Sequence, residues 1–368
     1  MLFISGLFFL CACAGNDDSG MTDGNNIPSE GDRDKIVLTG TSALSGTLTR
    51  ALDAFPNQGS VGILASLYDP SNTDNNGNVI INWLSYADIV NAPATALVRS
   101  SGDTSYSFDW VTDDSRPKYW PFDGSQLVFM AYSPHTKDYP FNLQLDTYTL
   151  SELFFSFSPV SQDTPDVMFA SNNASHTPYS KDPITESNGT YVSPTVDLGE
   201  FRHALSQLTV EVVSDEGMNP NIVITELTVE TTHRSATISL ADGSVLLGEP
   251  GEIPYVYTLI SSDTPFNTEA FSRTVLLIPG TEDVTKISIS LRDAGSETDI
   301  TYDWSFMMPF FTNIDPSSTE TLKLEQGMNS TARIRVKSVG VPTPTEEIEL
   351  RGVISGWNER GKFGVTIN

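Results

Sequence analysis

The sequence predicts an all-β protein built from antiparallel sandwiches. Three observations carry that expectation: short runs in which apolar and polar residues alternate, the Gly, Pro, Asn and Asp turns between them, and the scarcity of amphipathic helical pattern. In chain order the alternating runs are LTVEVV, ITELTVETT, SATISL, YVYTLI, KISISLRD and ARIRVKSV. In KISISLRD, Ile287, Ile289 and Leu291 share one face. In ARIRVKSV, Ala332, Ile334 and Val336 share one face, with Arg333, Arg335 and Lys337 opposite, as a half-buried strand requires. Two short helices fit YADIVNA and NTEAFSR as accessories.

A chain of 368 residues with 39% hydrophobic content, 19 Phe, 12 Tyr and 5 Trp can fill sizeable cores. At typical domain sizes of about 100–200 residues it divides in two. The break is expected in SNGTYVSPTVDLGE, Ser187 to Glu200, giving β-sandwich domains at 35–198 and 199–368. Lys plus Arg total 20 against 47 Asp plus Glu, a formal charge of -27, so a polyanion is repelled over most of the surface. Nucleic acid is thereby excluded as a partner.

The chain opens with an apolar run too short to span a membrane, ending in Leu10-Cys11-Ala12-Cys13, the only two cysteines present. A one-residue spacer disfavours a disulfide between them, and four histidines scattered along the chain do not complete a zinc site. The residue order resembles a bacterial lipobox, although Met1 to Leu10 holds no Lys or Arg. The resemblance implies a signal peptide at 1–12, cleavage before Cys13, lipidation of its thiol and acylation of its new amine. Such a multi-chain anchor holds stably in a bilayer. Residues 13–34, rich in Gly, Asn, Asp and Ser, read as a flexible tether. Asp17-Asp18, just after the lipidated cysteine, resembles a surface-export signal and implies display outside the outer membrane.

Catalytic signatures do not emerge. The chain lacks a G-x-S-x-G elbow, an H-E-x-x-H pair and a phosphate-binding glycine loop, and His135, His176, His203 and His233 lack ligand spacing. His203, within an apolar-polar run, reads as a satisfied structural histidine, and no enzyme, cofactor or metal site is expected. NTDNNGN, Asn72 to Asn78, partly mimics a calcium loop but has Trp83 where the closing glutamate belongs, so a hairpin loop is the better reading. Tyr119 and Trp120 offer faces on which a sugar could stack, though aromatics alternating in a strand are more often core.

Those aromatic segments also carry a family resemblance. YWPFDGSQLVFMAYSP, Tyr119 to Pro134, is followed in order by DVMFA, FRHALSQLTV, VLLIPG, LEQGMNSTARIRV and ISGWNE. The series resembles the fimbrillin-like lipoproteins of Bacteroidales. That resemblance implies two transthyretin-like domains in tandem and a role as a subunit of surface pili, often adhesive, with other pilin subunits as partners. It also implies processing at Arg50-Ala51. Loss of the preceding strand, within Ile36 to Leu48, would then open a groove that a strand of another subunit fills. At the C-terminus Phe363, Val365 and Ile367 alternate as a donor strand or an ordinary closing strand would. The competing expectation is a monomeric glycan-binding lipoprotein.

Overall fold

The computed structural model describes residues 35–42, 59–82, 85–86, 89, 91–98, 105–111, 118–135, 166–174, 177–181, 195–214, 219–267, 269, 271–295, 301–313 and 321–336. It describes the backbone alone at 41–42, 98, 105, 141–144, 154–157, 174, 184–185, 191–192, 301–302, 310, 312–313, 348–354 and 363–366.

The chain is all-β. Its first half contributes β1 (Val37–Ser42), β2 (Ser60–Leu67), β3 (Ala92–Val98), β4 (Ser105–Trp110), β5 (Leu127–Ser133), β6 (Phe141–Gln144), β7 (Phe154–Phe157), β8 (Met168–Ala170), β9 (Ile184–Thr185), β10 (Tyr191–Val192) and β11 (Thr195–His203). The second half contributes β12 (Ser206–Ser214), β13 (Ile222–Thr231), β14 (Ala236–Ser239), β15 (Val245–Leu247), β16 (Tyr255–Ile260), β17 (Thr264–Pro265), β18 (Phe271–Leu277), β19 (Lys286–Asp293), β20 (Thr301–Met307), β21 (Thr312–Asn313), β22 (Asn329–Val336), β23 (Ile348–Ile354) and β24 (Phe363–Thr366). Each alternating run named above falls on a strand over most of its described residues. Ile287, Ile289 and Leu291 of β19 and Ala332, Ile334 and Val336 of β22 are buried, as their spacing requires.

Seven strands close a barrel in the order β1-β11-β8-β5-β2-β3-β4. Its interior is filled by Leu38, Val61, Ile63, Ala94, Ala96, Tyr106, Phe108, Phe129, Val196 and Phe201, among others. In the second half, β18-β12-β22-β23-β21-β24 and β16-β13-β19-β20 form two sheets whose apolar residues share one core. Leu64, Val128, Met130, Tyr132 and Phe169 on the outer side of the barrel join that same core. This is why β5 is buried at every position and β2 at nearly every one, and why LVFMAYS and VGILAS read as continuous apolar runs. Tyr132 lies so close over Gly62 that a Cβ there would meet its ring at 2.3 Å. Asn173, 2% exposed, stitches the parts together: it accepts from the Ala131 amide at 2.9 Å and donates to the carbonyls of Ala131 and Leu240 at 3.1 and 2.7 Å.

Three features depart from expectation. Two extended ladders are parallel, β1 with β11 and β12 with β22, because the strand that opens each half lies beside one from far along the chain, and β21 meets β23 in parallel at the single pair Asn313 and Gly352. The helix expected in NTEAFSR gives way to β18, which takes Phe271 to Arg273 because they pair with Val212 to Val210 of β12. In YADIVNA, Ile89, whose amide donates to the Tyr86 carbonyl at 3.1 Å, lies in a 3-10 turn, and Ala92 opens β3. The join expected at 198/199 falls inside β11, which stays in the barrel as far as His203 through its pairing with β8.

Candidate functional site

The place in this fold where chain chemistry and geometry converge is the slot occupied by β1. β1 lies between β4, antiparallel, and β11, parallel, and closes the barrel between them. Leu38 sits opposite Phe108 on one side and Val196 on the other. Ile36 and Leu38 point inward, 3% and 0% exposed, while Val37 faces outward at 41%. That alternation is what KIVLTG dictates for a strand with one buried face.

Backbone partners extend the slot beyond the ladder. The Ile36 amide donates to the Lys118 carbonyl at 2.9 Å, and the Trp110 indole donates to the Ile36 carbonyl at 3.1 Å. Lys35 forms a bridge with Tyr119. The far end of the slot is narrow. A Cβ on Gly40 would stand 3.0 Å from the Gly199 carbonyl oxygen, 3.2 Å from the Phe108 ring and 3.4 Å from the Phe201 ring. The β1–β11 seam is interrupted by a register shift between Thr39 and Thr41. Parallel pairing is slightly weaker per residue than antiparallel, so this seam is the weaker of β1's two.

The arrangement holds a short strand by two apolar side chains, one glycine and two ladders. Taking β1 away would uncover Phe108, Val196 and Phe201 and leave the facing edges of β4 and β11 without partners, an unfavourable state until another strand enters.

The other residues singled out in the sequence distribute as follows. Cys11, Cys13, Leu44, Leu48, Arg50, Ala51, Trp83, His176 and Ile367 lie outside the described residues. Phe363 and Val365 lie on β24, whose backbone pairs with β23 and β21. Trp120 is only 4% exposed and packs edge-on against Phe129, so it belongs to the barrel core. Tyr119 is half-buried, and its carbonyl accepts from the Tyr86 hydroxyl at 2.6 Å. The exposed aromatic of that segment is instead Phe122, at 65%, with the Lys181 ammonium 5.7 Å from its ring.

His203 is buried and pairs with Asp166 across 2.7 Å. Its partner stands 37 residues away and carried no local signal. His135 and His233 each meet a backbone carbonyl, of Asn91 and Gly248, at 3.1 Å. The NTDNNGN segment is a hairpin loop closed by a Thr73–Val79 bridge. Asp74 accepts from the Asn76 and Asn78 amides at 2.8 Å and from the Asn78 side chain at 3.0 Å. These bonds, the Asn78 side chain first, hold the Asp74 carboxyl below the usual aspartate range. Among the described residues no cluster of three or more His, Cys, Asp or Glu could hold a metal.

No curated protein matches the sequence. Among solved structures, a fimbrial protein from Bacteroides vulgatus shares 14% identity, covers 88% of this chain and all of its own, and superposes with a TM-score of 0.55. A candidate cell adhesion protein from Bacteroides uniformis shares 16% identity over 90% of this chain and all of its own, with a TM-score of 0.49. At these identities the first likeness concerns the fold alone. The fimbrillin-like family model matches residues 49–357, most of the chain, and on that ground the protein belongs to the fimbrillin-like family.

Proposed function

We propose that the protein is a surface pilus subunit, lipid-anchored through Cys13 as a precursor and assembled after cleavage between Arg50 and Ala51 by donor-strand addition. Family membership supports the fimbrial and adhesive role, a cell-surface location and association with other pilin subunits. One observation carries the finer reading. β1 is the barrel strand that precedes Arg50, and cutting there leaves it held by non-covalent contacts alone. The strand that the lipid end carries would then be free to leave, and a strand from another subunit would restore the two ladders and the buried apolar pair.

The reading needs no catalysis. The competing glycan-receptor reading loses one of its two expected faces, because Trp120 is enclosed by the barrel. The test is assembly itself. Precursor treated with a trypsin-like protease should form heat-resistant ladders on gels, while the Arg50→Ala variant stays monomeric under the same treatment. Ladders from Arg50→Ala equal to wild type would show that processing at this position is not the trigger.

A further inference from the structure

The two ends of the barrel differ in charge. Four Lys and Arg are described between residues 35 and 203, in a chain whose formal charge is -27. Three of the four, Lys35, Lys118 and Lys181, gather at the end where β1 begins. Lys35 bridges to Tyr119, the Lys118 carbonyl accepts from the Ile36 amide, and the Lys181 ammonium donates to the Phe122 carbonyl at 3.1 Å. The fourth, Arg202, lies towards the other end of β11 and is paired with Glu200.

Apolar groups stand out at the same end. Among the described residues Phe122, 65% exposed, is the one aromatic of six exposed large hydrophobics. It sits on a tight turn, in which the Gly124 amide donates to the Pro121 carbonyl at 3.3 Å and the Ser125 amide to the Asp123 carboxylate at 2.9 Å. The Lys181 ammonium stands 5.7 Å from the centre of its ring. Because β4 runs antiparallel to β1, Val111, exposed just past the end of β4, also stands by the start of β1. A ring held out on a turn among ammonium groups on long apolar stems suits a membrane surface, where the ring enters the head-group layer and the ammoniums reach lipid phosphates.

We infer that this end of the barrel, Phe122 with Lys35, Lys118 and Lys181, is a contact surface for the anionic head groups of the bilayer that holds the anchor. The inference rests on the lipid-anchored reading above and says which way the precursor faces. The chain that leads back to Cys13 joins the barrel at Lys35 itself, and 22 residues, 13–34, lie between. A chain of that length spans at most about 75 Å, and as a Gly-rich coil about 26 Å on average, so the lipid keeps this end close to the membrane and a weak contact suffices. The patch is not purely basic, since Asp123 lies within electrostatic range of Lys181 and Asp109 is exposed on β4. Against them stand three ammonium groups, each worth about fivefold in affinity at an anionic membrane surface. With Lys35 at the bilayer, β1 rises about 23 Å to Ser42, and the segment carrying Arg50 departs from the end that faces away from the lipid, on the side open to a protease.

The test uses the chain from Cys13 onward, with Cys13 as its one thiol, coupled to a maleimide lipid in vesicles. The vesicles hold one part phosphatidylglycerol to two parts phosphatidylcholine with brominated chains, which quench an indole that enters the bilayer. Phe122→Trp should add at least three times the quenching added by Ile253→Trp, a change at a more exposed position in the second half. In the Phe122→Trp background, Lys118→Gln and Lys181→Gln should each weaken the contact about fivefold, and vesicles without phosphatidylglycerol should abolish it. Equal quenching from the two tryptophan variants would overturn the inference, since no face would then be preferred. Quenching indifferent to both lysine changes or to lipid charge would overturn it too. So would a saturable emission change of the Phe122→Trp protein with a soluble polysaccharide and none on vesicles, which would assign the face to a glycan. Because the lipid is attached chemically, these outcomes are separate from the anchoring reading, which fails if Cys13→Ala keeps its fatty-acid label in cells.

Discussion

Leu38→Ala isolates the energy that keeps β1 in the barrel. Leu38 is fully buried, with Phe108 and Val196 as ladder neighbours. A Leu→Ala change at such a site costs about 2.5–4 kcal/mol, the transfer free energy of the lost carbons plus the cavity they leave. In the uncut chain that cost falls on overall stability. After cleavage at Arg50 it falls on the affinity between the N-terminal fragment and the rest, which should weaken roughly 60–700-fold at 1.4 kcal/mol per decade. Val37→Ala, on the same strand but 41% exposed and outward, should change that affinity by less than about threefold. The assay is fragment retention: Cys13→Ala precursor is cut, diluted, and the N-terminal fragment separated by size and weighed over time. If Leu38→Ala and Val37→Ala release it equally, packing of Leu38 does not hold the strand, and the description of the slot as an apolar groove fails.

Three further outcomes are expected. Cys13→Ala should abolish labelling by a fatty-acid probe and release the protein from the membrane fraction, whereas Cys11→Ala should leave both unchanged. Trp120→Ala should destabilise the protein by about 3–5 kcal/mol in denaturant titration, and Phe122→Ala by less than about 0.5 kcal/mol; saturable polysaccharide binding by wild-type monomer, lost with either, would favour the glycan receptor. Hydrogen bonds lower the Asp74 carboxyl, so its contribution to stability is fully present above the unfolded aspartate value of about 3.9 and is lost as pH falls through the lower folded value. Asp74→Asn should therefore be less stable than wild type at pH 6, with the two converging as pH falls through that folded value; a gap that widens on acidification would reverse the sign.

Local pattern made the strands legible, and tertiary context decided the rest. KISISLRD and ARIRVKSV could be read residue by residue because one face of each strand is buried and the period of two survives in the sequence. LVFMAYS shows no such period, since the barrel interior takes one face of β5 and the second core takes the other. Phe271 to Arg273 read as a helix because nothing in NTEAFSR announces that β12 waits to pair with it. The Asp166–His203 pair and the two parallel ladders depend on residues brought together across long stretches of chain, where periodicity carries no information. Ile36 and Leu38 could be anticipated as inward residues. The constraint at Gly40 could not, because it is set by the Gly199 carbonyl and by rings on β4 and β11.

The β1–β11 and β12–β22 ladders also explain why exchange, in the proposed assembly, concerns one strand and not two. β12 stands to β22 as β1 stands to β11, the opening strand of its half laid parallel to a later one. β12, however, is fixed at both ends. Only Ala204 and Leu205 separate it from β11, both fully buried, and the Ala204 amide donates to the Val167 carbonyl at 2.7 Å. No single cut could release it without breaking the barrel it follows. β1, by contrast, is joined to β2 through the segment that contains Arg50. In the proposed assembly each subunit would therefore offer one slot. A head-to-tail contact through that slot would build an unbranched filament where its rotation does not close into a ring.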